Sequence, residues 1–88
     1  MKYTPPTPEN LQHLKDELGL SSAQMAELFG LSSGRHWRSY TGGADIRSVS
    51  ASTLFFAMAR LKLSPEAVEI VLDAMRSLGA TIDLNAPE

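Results

Sequence analysis

The sequence predicts an all-α fold of five helices, and three observations carry that reading. Apolar residues recur at spacings of three and four along five segments, and Ser or Thr stands ahead of these segments where a helix N-cap belongs. Glycines follow at positions where a helix has to stop. A chain of 88 residues suffices for one small core and not for two, so a single domain over residues 8–79 is expected, with an arm at 1–7 and a tail at 80–88.

Taken in order, residues 1–6 show no periodicity and hold prolines at 5 and 6, which reads as an extended arm. Thr7-Pro8 is a cap followed by proline at the first helical position, where its missing N–H is harmless. The first helix should run to Leu18, with Leu11, Leu14 and Leu18 on one stripe and Gly19 as its stop. Ser21 with Gln24 three residues on fits a capping box, so a second helix starts there, buries Met25, Ala26, Leu28 and Phe29, and ends at Gly30. Ser32 or Ser33 caps a third helix reaching about Thr41, in which Trp37 and Tyr40 share a face, and Gly42-Gly43 breaks it. After a loop from Ala44 to Val49, a fourth helix spans about Ser50 to Leu63. Leu54, Phe55, Phe56, Ala57, Met58 and Leu61 make it apolar on nearly every side, which predicts the central, most buried helix. Ser64-Pro65-Glu66 opens a fifth helix to about Leu78. Val68, Val71, Leu72, Met75 and Leu78 form its stripe, Ile70 and Ala74 fall off it, Gly79 ends it, and Ala80 to Leu84 reads as a short strand or an extended tail.

The chemistry lies in Ser21 to Gly43, two short amphipathic segments hinged at Gly30, the second carrying Arg35, His36, Trp37, Arg38 and Tyr40. A formal net charge of −2 argues at first against a phosphate-rich partner. The distribution answers that objection. Between Leu31 and Leu63 stand Arg35, Arg38, Arg47, Arg60 and Lys62 against Asp45 alone, whereas from Ser64 onward Glu66, Glu69, Asp73, Asp83 and Glu88 face only Arg76. A basic middle and an acidic end imply that nucleic acid meets the middle.

The order of elements resembles the Cro/C1-type (Xre-like) helix-turn-helix regulators of bacteria and phages, over roughly residues 8 to 78. The carriers are Ala26 within the second helix, Gly30 in the turn, Leu31-Ser32 after it, and Trp37 and Tyr40 on the third. The resemblance implies a five-helix, lambda-repressor-like domain that presents its third helix to the major groove of double-stranded DNA. Two departures stand out: the aromatic pair falls one residue later after Gly30 than in the family, and Ser22 occupies the place of a phosphate-contacting glutamine, which Gln24 only partly replaces.

Side-chain chemistry then assigns candidate contacts. Arg35 and Arg38 suit guanine edges or phosphates, because guanidinium offers paired donors. Ser22, Gln24, Ser32, Ser33, Ser39 and Thr41 are candidate phosphate donors, Gly34 and His36 stand at the base-facing end of the helix, and Arg47 clamps the backbone from the loop. Ala26, Gly30, Trp37 and Tyr40 are read as the structural core of the motif. The expected partners are DNA and a second copy, joined through the C-terminal helix and tail by Ile70, Ala74, Leu78, Ile82 and Leu84; the rival reading is an antitoxin of a toxin–antitoxin pair, or a helical interaction module whose protein partner uses the acidic end.

Other classes find little support. The chain has no cysteine and two histidines without a second ligand at the right spacing, so no metal site is expected, and no Ser/His/acid arrangement or phosphate-cradling loop points to an enzyme or a cofactor. The absence of cysteine and of a leader-like or bilayer-length apolar run predicts a cytoplasmic protein, and the resemblance implies one that acts in transcription regulation as a repressor.

Overall fold

A computed structural model of the chain describes residues 1–85. Five helices account for its regular structure: α1 (Pro8–Leu18), α2 (Ser22–Phe29), α3 (Gly34–Thr41), α4 (Ala51–Lys62) and α5 (Pro65–Ser77), with no strand among the described residues. The all-α expectation therefore holds, and each helix begins where a hydroxyl side chain satisfies an orphan amide. Thr7, Ser21, Ser33, Ser50 and Ser64 accept from the amides of Asn10, Gln24, His36, Thr53 and Ala67. The box at Ser21 forms as the spacing predicts, and a second, built from Thr7 and Asn10, opens α1.

The core is gathered by α1, α2 and α3. Met25, Ala26, Phe29, Trp37 and Tyr40 are buried together with Leu11, Val49 and Ala57, and Leu14, Leu18, Leu20, Leu28, Leu31, Leu54 and Met58 pack around them. Trp37 stands at the centre, wholly buried, its ring 5.0 Å from Phe29 and edge-on to Tyr40 at 6.2 Å. Its Nε1 meets no acceptor among the described residues, so burial of the indole surface and not a hydrogen bond holds this side chain.

The outer helices depart from the sequence reading. α4 is not the most buried helix: Ala57 alone is fully enclosed, and Phe55 is 77% exposed. α5 packs against α4 and buries Leu72, while Val71, Met75 and Leu78, expected on its inner stripe, are exposed with Ile70. The physical reason is direction. Leu72 and the half-buried Val68 face α4, so residues 70, 71, 74 and 78 turn to the far side, and a helix with two apolar faces can satisfy only one of them inside a single chain. Met75 is accordingly not core filler, unlike the fully buried Met25.

This leaves the molecule open at one end. Its radius of gyration is 13.8 Å, against about 12 Å for a compact chain of this length. The tail is tied down by Arg76, whose Nη2 donates to the Ile82 carbonyl at 2.9 Å, and Ile82 and Leu84 are half-buried. The N-terminal arm is tied too, by the Tyr3 hydroxyl donating to the Val49 carbonyl at 2.7 Å. No helix among the described residues is long and apolar enough to cross a membrane.

Candidate nucleic-acid interface

The geometry of α2 and α3 follows from two glycines. Gly30 ends α2 at φ 70°, and the Leu31 amide then donates back to the Ala26 carbonyl at 2.8 Å, closing the helix and turning the chain sharply. Gly34 begins α3 hard against the start of α2, where an added Cβ would lie 3.1 Å from the Ala23 nitrogen and 3.3 Å from the Ser22 Cβ. A side chain at this position would crowd the start of α2, so glycine favours the close approach of the two helix N-termini. The N-termini of α2 and α3 therefore share one end of the molecule, and their orphan amides and positive dipole ends favour anions there.

With Trp37 and Tyr40 inward, a 3.6-residue period sends Arg35, Arg38 and Ser39 to the opposite side of α3. Arg35 and Arg38 are exposed and make no ion pair among the described residues. Ser32 and Ser33 are exposed in the turn, with Ser33 Oγ occupied in capping His36 at 3.3 Å.

The loop after α3 folds back onto the same helix. Gly43 takes φ 100°, and the Arg47 amide donates to the Ser39 carbonyl at 2.8 Å, which brings exposed Arg47 alongside α3. Arg47 is close enough to Tyr40 to act on its hydroxyl. Burial pushes the Tyr40 pKa up, and the Arg47 charge opposes that rise. Val49, fully buried and held by Tyr3, fixes the far end of the loop before Ser50 caps α4.

The remaining candidates divide. Ser22 is half-buried under Gly34, and Gln24 is exposed with its Oε1 accepting from the Ser21 amide at 2.9 Å, so its amide nitrogen is the end free to donate outward. His36 is half-buried and stacked on Tyr40, ring centroids 5.6 Å apart. The Ser39 hydroxyl donates to the His36 carbonyl at 2.6 Å, so its one proton is engaged there and donation to a phosphate would require breaking that bond. Thr41 stands apart: it donates to the Arg38 carbonyl and lines a shallow groove with Pro8, Glu9, Gln12, His13 and Asp16 of α1. Acidic side chains beside it make that groove unsuited to phosphate.

Two of the basic residues counted in the middle of the chain do not belong to this surface. Arg60 turns to the opposite end of α2, where its Nη1 donates to the carbonyls of Glu27 and Leu28, and Lys62 follows it in the last turn of α4. The surface is therefore built by Arg35, Arg38 and Arg47 with Ser32, Ser33 and Ser39 around them. The acids Glu69 and Asp73 of α5 are held by Arg76 at 2.7 and 2.8 Å, and these pairs raise the Arg76 pKa. No family model matches the chain, and no curated protein or solved structure matches it.

Proposed function

We propose that this chain is a sequence-specific double-stranded DNA-binding protein of the lambda-repressor-like helix-turn-helix kind, acting as a dimeric transcriptional repressor. One observation carries the reading: α3 is nailed to the core by Trp37 and Tyr40, while Arg35 and Arg38 protrude from its other side next to two converging helix N-termini. A helix presented in this way matches the width of the major groove, and guanidinium is suited to the paired acceptors of guanine. Arg47 and the turn serines are the phosphate contacts that set its register.

The second copy belongs on the outer face of α4 and α5. Phe55, Leu63, Ile70, Val71, Met75 and Leu78 are all exposed, at 77%, 47%, 70%, 55%, 38% and 91%. Large apolar side chains left exposed on two neighbouring helices are the kind of surface that a partner covers. Two recognition helices one DNA turn apart give the specificity that one small module lacks. In this reading the half-buried Ile82 and Leu84 of the tail border the interface.

Titration of the protein into a labelled duplex from its own upstream region, at two salt concentrations, tests the reading. A dimer touching about three phosphates per subunit gives a log–log salt slope of about −5. Absent or salt-insensitive binding to every duplex tried contradicts it. Capture of a folded protein by the α5 face in place of a second copy would favour the antitoxin or interaction-module reading.

A further inference from the structure

Of the five helices, α2 alone has no basic residue of its own in its last turn; Lys15, Arg38, Arg60 with Lys62, and Arg76 serve the other four. The C-terminal carbonyls of a helix carry a partial negative charge that a cation stabilises. At α2 that cation arrives from another helix. Arg60 Nη1 donates to the Glu27 carbonyl at 2.6 Å and to the Leu28 carbonyl at 3.2 Å, across 33 and 32 residues of sequence. Its Cζ lies 5.5 Å from the Phe56 ring centroid, one turn back on α4, and the edge of that ring is 3.2 Å from where a Cβ on Gly30 would sit. Phe56 and Arg60 thus grip α2 at its last carbonyls and at the glycine where the chain turns toward α3.

We propose that Arg60 is a positioning residue: it locks the α2–α3 unit to α4, and so sets the distance between the two recognition helices when α4–α5 faces pair. The inference rests on the DNA-binding, dimeric reading. It assigns Arg60 no contact with DNA, and its charge acts on α2 and not on phosphate. Loss of the lock leaves each unit able to read its half-site and loosens the geometry between units.

The test begins with duplexes selected from a random pool by the parent protein. Affinity is then measured for the selected two-half-site duplex, for the same duplex with one base pair added or removed at its centre, and for a single half-site. One base pair displaces the half-sites by about 3.4 Å and turns them by about 35°, so the parent should lose at least about tenfold on either change. Arg60→Met should stay within about twofold of the parent on the single half-site while its penalty for altered spacing shrinks to about threefold or less. Arg60→Lys, which keeps a charge but on one ammonium nitrogen with a shorter reach, should fall between the two.

Parent-level spacing discrimination in Arg60→Met, with only a lower melting temperature, overturns the proposal and makes Arg60 merely a stabilising contact. Equal losses on single and double half-sites also overturn it. If Arg60→Met does not fold, Arg60→Lys decides, with undiminished discrimination contradicting the proposal. A parent protein that selects no duplex overturns the DNA reading itself and this proposal with it, whereas the other three contrary results overturn the role of Arg60 alone.

Discussion

The two ends of the molecule put their apolar residues to opposite effect. In α2 and α3, Met25, Ala26, Phe29, Trp37 and Tyr40 are enclosed, and apart from Ala23 the exposed side chains are polar or charged. In α4 and α5, Ala57 and Leu72 are enclosed while Phe55, Ile70, Val71 and Leu78 are not. The contrast teaches that helical periodicity identifies apolar faces without saying whether a face is closed by its own chain or by another. One end closes its apolar side chains within its own chain, and the other leaves several of them exposed.

The largest effect that could break this contrast is at Trp37. Trp37→Ala should destabilise the fold by about 3–5 kcal/mol and leave little folded protein, as followed by thermal melting, because a large void opens at the core. Trp37→Phe should cost much less, since the indole N–H forms no hydrogen bond to be lost. A melting temperature for Trp37→Ala equal to the parent's would move Trp37 out of the core and onto the binding face.

Substitution at the other end should do the reverse. Ile70→Glu combined with Leu78→Glu should convert a dimer to a monomer in sedimentation while changing the melting of the dilute protein little, because neither side chain is closed by its own chain. A cooperative loss of folding with no change in mass would mean that α5 is part of the core.

A smaller change tests the binding face. Arg35→Ala or Arg38→Ala should keep the parent's melting temperature and weaken binding to a selected duplex by about 1–3 kcal/mol if that arginine reads a base. Gly30→Ala should cost about 1–2 kcal/mol of stability through its left-handed backbone, with Phe56 crowding the new methyl.

The smallest expected effect is alkaline. Burial raises the Tyr40 pKa, so the folded state holds the phenol proton more tightly than the unfolded chain does. Stability from this source is complete below about pH 10 and is lost as pH rises through the folded value. Tyr40→Phe should flatten that part of the melting-temperature profile and leave the neutral region alone.

What was legible in the sequence is what local chemistry dictates. Helix starts at Thr7, Ser21, Ser33, Ser50 and Ser64 each need only a hydroxyl three residues ahead of an amide, and the stops at Gly19 and Gly30 need only a missing Cβ. Trp37 and Tyr40 were readable as anchors because their helix is so short that one face holds all its apolar bulk. The links between Arg60 and α2 and between Tyr3 and Val49 were not, since they join residues more than thirty positions apart and leave no periodic trace. Charge counting along the chain misled for the same reason: it placed Arg60 with Arg35 and Arg38, although folding sends it to the far end of α2. The apolar surround of α4 was read as burial because composition does not distinguish a core from an unpaired interface.

The central claim is that one end of the molecule meets DNA and the other meets a second copy. Amide chemical-shift mapping on a duplex selected by the protein tests it most directly. The account predicts that shifts on adding DNA concentrate at Ser21 to Gln24, Ser32 to Ser39 and Asp45 to Ser50, with α5 unchanged. Shifts concentrated on Glu66 to Leu78, with Arg35 and Arg38 unmoved, would contradict it.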